Sequence, residues 1–165
     1  MNFEFAKVRE VKSPLRGTEK SVGIDFFVPE FDEKFVRDLK EKNPNISIID
    51  EKIIQIMPQE HVLIPSGIKV KLPSNYFLNA FNKSGVSSKK QLIKMAETVD
   101  EDYQGEVHIS ILNAGRKIQT ITEHEKLIQF ILLPALYANI IEKDQDSIYT
   151  NITKRGDGGF GSTNK

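Results

Sequence analysis

The chain has 165 residues, 39% apolar and 28% charged, enough for one globular domain with a sizeable core. Lys plus Arg and Asp plus Glu both number 23, and this zero formal balance argues against bulk, salt-driven binding to a nucleic acid or an anionic membrane. The absence of cysteine excludes disulfides, thiolate metal sites and a thiol nucleophile.

Apolar residues recur mostly at every second position, the strand period. The first stretch, MNFEFAKVRE, puts Phe3 and Phe5 on one face and has no signal-peptide apolar run. KSVGIDFFVP places Asp25 at a strand start after Gly23, where its carboxylate is a candidate for Mg²⁺, directly or through water, or an ordinary strand-edge acid. DEKFVRDLKEKN, residues 32–43, breaks the pattern. Phe35, Val36 and Leu39 have helical spacing, Asp32 suits an N-cap and Pro44 a stop, which predicts one short surface helix inserted between strands.

IKVKLP returns to strand period, with Ile68, Val70 and Leu72 opposite Lys69 and Lys71. NKSGVSSKK, residues 82–90, combines lysines, serines and a glycine, as a phosphate-gripping turn or a solvated basic loop would. TVDEDYQGEV crowds Asp100, Glu101 and Asp102 before Tyr103 and Gly105. Three adjacent carboxylates repel one another, so at least one must point outward or be paired. In a polar cleft Asp100 or Asp102 would orient water as a general base, and Tyr103 would pack on a sugar; the plainer reading is an acidic hairpin loop.

EVHISIL aligns Val107, Ile109 and Ile111, LIQFILL reads as a more buried strand ended by Pro134, and SIYTNIT is a weaker late strand. The longest apolar stretch, residues 127–141, is interrupted by Gln129, Pro134 and Asn139 and is too short to span a bilayer. These features predict a cytoplasmic protein, or one made in a host's cytoplasm. His61, His108 and His124 lack metal-ligand spacing and read as structural or solvent-facing; Gly-x-Ser-x-Gly and His-Glu-x-x-His are absent. Many short strands and few helices point to an all-β sandwich or barrel.

The chain closes on RGDGGFGSTNK. Its glycines let backbone amides wrap anionic oxygens, Arg155 offers a planar fork for phosphate, Phe160 offers a ring to stack, and Ser162 and Thr163 offer hydroxyls. This suits either a lid over an aromatic, phosphorylated ligand or a frayed terminus. No strand-to-helix Gly-Lys-Ser/Thr context makes it a Walker loop.

In order, SVGIDF, NKSGV, VDEDYQGEVHISILNAG, EKLIQFILLP and RGDGGFGST resemble the five motifs of the trimeric dUTPase family, from about Ser21 to Thr163. The resemblance implies a jelly-roll-like β fold and a homotrimer with active sites shared between subunits. It divides the chain into a β domain, residues 1–154, and a flexible Gly-rich C-terminal lid, residues 155–165. It implies Mg²⁺-dependent hydrolysis of dUTP to dUMP and pyrophosphate, which removes dUTP and supplies dUMP for thymidylate synthesis.

Carried over by position, Asp100 becomes the general base and Tyr103 the floor under the deoxyribose. Lys83, Ser84 and Gly85 become phosphate ligands, and Gln129 supports the phosphate–water arrangement. The hairpin with Lys94, Ala96, Thr98 and Val99 reads uracil, largely through backbone groups. Asp25 meets Mg²⁺ through its waters. Arg155, Phe160, Gly161, Ser162 and Thr163 come from a neighbouring subunit to close the site.

The chain departs from the family pattern in several places. Asn82 and Lys83 replace Pro-Arg, so phosphate affinity is expected to fall or to be met by Lys89 or Lys90. Met95 and Glu97 occupy hairpin glycine positions, His124 replaces a turn glycine, and Asn164 replaces a final glycine. The helical insert is outside the motif framework. The nearest alternative, a dCTP deaminase or bifunctional deaminase–diphosphatase on the same fold, needs a glutamate where this chain has Ser110. Another is a nucleotide-binding regulatory protein.

Overall fold

The computed structural model describes residues 1–50 and 52–159, among which run thirteen strands, two α-helices and a 3₁₀ turn. Strands β1 (Glu4–Lys7), β2 (Leu15–Arg16) and β3 (Ile24–Asp25) precede helix α1 (Glu33–Lys42). Strands β4 (Ser47–Ile49), β5 (Ile53–Ile56), β6 (His61–Pro65), β7 (Ile68–Lys71) and β8 (Tyr76–Asn82) lead into α2 (Ser84–Lys90). Then come β9 (Leu92–Lys94), β10 (Thr98–Val99), β11 (His108–Asn113), β12 (Gln119–Thr122) and β13 (Ile128–Pro134).

The recorded ladders are antiparallel and form four sheets, ordered β10-β8-β13-β3-β2, β6-β11-β9, β12-β5-β4 and β1-β7. This is the mostly-β, jelly-roll-like architecture that the alternating pattern predicts. In β7 the alternation becomes burial, with Ile68 and Val70 inside and Lys69 and Lys71 outside. Ile109 and Ile111 of β11 are fully buried, and so is Phe130 of β13, whose ring lies 4.5 Å from that of Phe26. Each such side chain contributes about 1.5–3 kcal/mol of burial. The β13 strand is central for the same reason. Flanked by β8 and β3, it places Gln129 directly opposite Asp25.

Helix α1 begins as expected, with Asp32 Oδ1 accepting from Phe35 N at 2.6 Å. It is more than a surface appendage, because Phe35 and Leu39 are fully buried. Its C-cap, Asn43, donates from Nδ2 to the carbonyls of Leu39 (2.7 Å) and Leu63 (2.9 Å), while Oδ1 accepts from Leu63 N at 2.8 Å. One buried amide thus fastens the insert to β6.

Two expectations fail. Residues 84–90 form α2 rather than a turn, so there are two helices and not one among the described residues; α2 has no buried side chain, and Val86 is its one apolar residue, half-buried, so there is no helical stripe to read in the sequence. Residues 147–153 form no strand. Beyond β13 the chain pairs with no sheet among the described residues, and Ile148, Tyr149 and Ile152 are exposed, as are Leu136, Tyr137, Ile140 and Ile141. Among the described residues no helix is long and apolar enough to cross a membrane.

Candidate active site

The third-motif residues converge first. The segment from β9 to β10 passes from the β11 edge to the β8 edge, with Ile111 opposite Lys94 and Asn79 opposite Thr98. Asn82, at the end of β8, holds this hairpin through Oδ1, which accepts from Lys94 N at 2.7 Å. Ala96, Thr98, Val99, Asp100 and Tyr103 all line one cavity of about 170 Å³, together with Leu63, Glu97, Val107, His108 and Phe130. Tyr103 Oη donates to the Glu106 carbonyl at 3.0 Å. A Cβ added at Gly105 would lie 2.3 Å from that oxygen, so only glycine lets the ring lie flat on the turn.

Asp100, Glu101 and Asp102 line one hollow with Tyr137. Glu101 is the paired acid, accepting from Tyr137 Oη at 2.9 Å and Asn75 N at 2.8 Å. These bonds, Tyr137's first, hold its carboxyl below the usual glutamate range. Asp100 is exposed at the cavity edge. Of the bulky hairpin residues, Met95 is half exposed and does not line the cavity, while Glu97 lines it, pairs with Lys94 and accepts from Asn79 Nδ2 at 3.4 Å. Lys94's hydrogen bond, followed by Asn79's, lowers the Glu97 pKa.

A second cleft, about 260 Å³, is lined by Lys83, Ser84, Gly85, Val86 and Gln129. Lys83 is the N-cap of α2 in extended conformation. Its ammonium donates to Oδ1 of Asp25, whose side chain is only 6% exposed, and Lys126 Nζ reaches Oδ2 at 3.1 Å. Lys126, which the sequence reading did not single out, thus joins Lys83 at the Asp25 carboxylate. Gln129 Nε2 donates to the Asn82 carbonyl at 3.1 Å. Gly23 makes room for this side chain, since a Cβ there would lie 2.0 Å from Gln129 Oε1.

Asp25 is a lone carboxylate, and among the described residues no three Asp, Glu or His side chains cluster to cage a cation. Mg²⁺ asks little of a protein, because it retains waters and takes phosphate oxygens. A carboxylate flanked by two ammoniums fits contact through that water, not direct ligation.

Other expected positions fall elsewhere. Lys90 is committed to Glu125 (2.6 Å) and the Thr120 carbonyl (3.1 Å), and Lys89 lines a separate hollow with Arg116 and Lys117, so neither joins the Lys83 cleft. His108 lines the Asp100 cavity. Burial first, then the positive charge of Lys42, lowers its pKa, against the opposing pull of Glu106. His61 bonds Ser110 Oγ at 2.7 Å, and His124 adopts a positive φ of 65°, the conformation a turn glycine favours. Arg155 is exposed and donates from Nε to the Gly158 carbonyl at 2.8 Å. Phe160, Gly161, Ser162 and Thr163, and the departure at Asn164, lie outside the described residues.

A profile of the dUTPase family matches residues 46–164, most of the chain and four of the five motifs. The chain belongs to the dUTPase family. It is 33% identical over 115 residues to the deoxyuridine 5′-triphosphate nucleotidohydrolase of Hydrogenobaculum sp., covering 68% of this chain and 77% of that one. Its fold matches a mutant dUTPase of Staphylococcus bacteriophage 80alpha bound to dUpNHpp, with a TM-score of 0.72, 18% identity and 98% of each chain covered. It also matches a mutant dUTPase of phage phi11 of S. aureus, described with a structural Mg(II) ion, with a TM-score of 0.65, 19% identity, and 90% of this chain and 100% of that one covered.

Proposed function

We propose that this dUTPase-family protein hydrolyses dUTP to dUMP and pyrophosphate by attack of water on the α-phosphorus. The observation that carries the reading is the single cavity lined by Ala96, Thr98, Val99, Asp100 and Tyr103. Asp100, at its edge, accepts the proton of the attacking water. Tyr103 lies under the deoxyribose and leaves no room for a 2′-hydroxyl. Backbone groups of residues 94–99, including Lys94, read the uracil edge, and the pairing of the Glu97 carboxylate with Lys94 supports a hairpin whose backbone stays available.

Lys83, Ser84 and Gly85 bind the phosphates, and Gln129 aligns phosphate and water. Mg²⁺ supplies charge neutralisation on the triphosphate, and Asp25 contacts it through water. The chemistry is mostly positioning and electrostatics. Among the described residues none lines both the nucleoside cavity and the phosphate cleft. This supports a homotrimer in which one subunit supplies the first and a neighbour the second. The lid, residues 155–165, comes from a further subunit, with Phe160 over uracil and Arg155, Gly161, Ser162 and Thr163 on the γ-phosphate. Ordering it costs about 1–2 kcal/mol per residue, so closure requires the full triphosphate. A cytoplasmic site of action accompanies this reading.

Ser110 argues against deamination, because it is 2% exposed, bonded to His61 and unable to shuttle protons as a carboxylate does. A pyrophosphate-release assay across the deoxynucleoside triphosphates, with and without Mg²⁺, tests the proposal. Selective turnover of dUTP supports it; ammonia release from dCTP, or no turnover of dUTP, opposes it.

A further inference from the structure

Helix α1 lies outside the motifs yet connects to the loop carrying Tyr103. The link is Arg9, whose side chain is 6% exposed. Its Nε donates to Glu106 Oε1 at 2.7 Å and its Nη2 to Glu106 Oε2 at 3.0 Å, a two-pronged grip only a guanidinium makes. The same Nη2 donates to Asp38 Oδ2 of α1 at 2.7 Å. Glu106 Oε1 also accepts from Gly67 N at 2.7 Å, so both carboxylate oxygens are fixed. The carbonyl of this same Glu106 receives Tyr103 Oη, and the neighbouring Gly105 carries the ring.

We propose that α1 is a positioning element for the nucleoside cavity, with Asp38 and Arg9 acting through Glu106 to set the plane of the Tyr103 ring. The proposal rests on the reading of Tyr103 as the sugar platform. Asp38 and Arg9 are positioning residues; neither lines the cavity. Arg37 is a poor substitute for Arg9, because its Nε is 3.4 Å from Asp38 and its side chain is 69% exposed. Without Asp38, Nη2 loses one acceptor on a guanidinium whose buried Nη1 already has none. The strain falls on Glu106 and the turn it anchors. A ring that packs equally on substrate and transition state affects KM more than kcat.

The test uses the full chain and Asp38→Ala, which removes the acceptor of Nη2 at a side chain 22% exposed. Hydrogen exchange, measured without nucleotide, should quicken over residues 100–107 and stay unchanged over 128–134. Affinity for dUpNHpp should fall about 3- to 10-fold, with kcat on dUTP nearly unchanged. That loss should vanish in a Tyr103→Phe background, which cuts the link at Oη. Arg9→Lys, keeping the charge but not the fork, should give the same pattern. Unchanged exchange over residues 100–107 in both variants, or an equal affinity loss with and without the Tyr103 hydroxyl, would overturn the proposal. If the wild-type chain fails to bind dUpNHpp, the nucleotide reading falls, while the exchange measurement still decides whether α1 holds the loop.

Discussion

Lys83 donates its ammonium to the buried carboxylate of Asp25, so the residue proposed to grip phosphate is held by the residue proposed to meet the hydrated cation. Lys126 occupies the second oxygen of the same carboxylate. Replacing Lys83 removes a proposed phosphate ligand and half of the compensation for Asp25. Lys83→Met should raise KM for dUTP at least 10-fold and destabilise the fold by about 1–3 kcal/mol, less than for a sealed pair because Lys83 is partly exposed and Lys126 remains. Steady-state kinetics and urea unfolding check the two effects separately.

Gly23 and Gln129 make a sharper steric case. A Cβ at Gly23 would lie 2.0 Å from Gln129 Oε1 and 2.8 Å from its Cδ, so the amide must swing away. The clash is with the end of a flexible side chain, so Gly23→Ala should cost only about 1–2 kcal/mol of stability. Turnover should fall far more, because the amide leaves the cleft proposed to bind phosphate. A melting curve beside a kcat/KM measurement distinguishes the two.

His108 introduces a pH dependence. Its folded pKa lies below the ordinary 6.5, chiefly through burial, with Lys42 of α1 and Arg9 adding to the depression and Glu106 opposing it. The unfolded chain therefore binds the proton more readily. Stability from this group is complete above about pH 6.5 and is lost as pH falls toward the folded value. Asp38, lowered first by its bond from Arg9, loses its contribution only below its ordinary 3.8. The melting temperature of His108→Leu should consequently vary less than wild type just below pH 6.5, with both falling together at lower pH.

The strands were legible because burial on one face writes itself into alternate residues, as in Ile68 and Val70. Helix α1 was legible from the Asp32 cap and the Phe35–Leu39 spacing. Helix α2 was not, since SGVSSKK buries nothing and so carries no stripe. SIYTNIT has strand-like apolar residues, but they find no partner strand within the described chain. The motif residues around Asp100 were readable as a local run. Lys126 beside Asp25, and Arg9 beside Glu106 at a separation of 97 residues, arise only from strand pairing, which a linear pattern does not reveal.

Removing residues 155–165 tests the lid. The truncated chain should keep the oligomeric state and melting temperature of the full chain yet lose most dUTP turnover, since Arg155 and the groups after it that are proposed to stack on the base and bind phosphate leave together. Size-exclusion chromatography with light scattering and a pyrophosphate assay check it; full activity after truncation would remove the lid from the mechanism.

Proton removal by Asp100 at the edge of the nucleoside cavity is the central step of the proposed reaction. Its most direct test is pyrophosphate release from dUTP by Asp100→Asn, an isosteric change at an exposed side chain that leaves the fold and dUpNHpp binding in place. Loss of a general base predicts a fall in kcat of about 10²- to 10⁴-fold. Turnover equal to wild type would contradict the assignment.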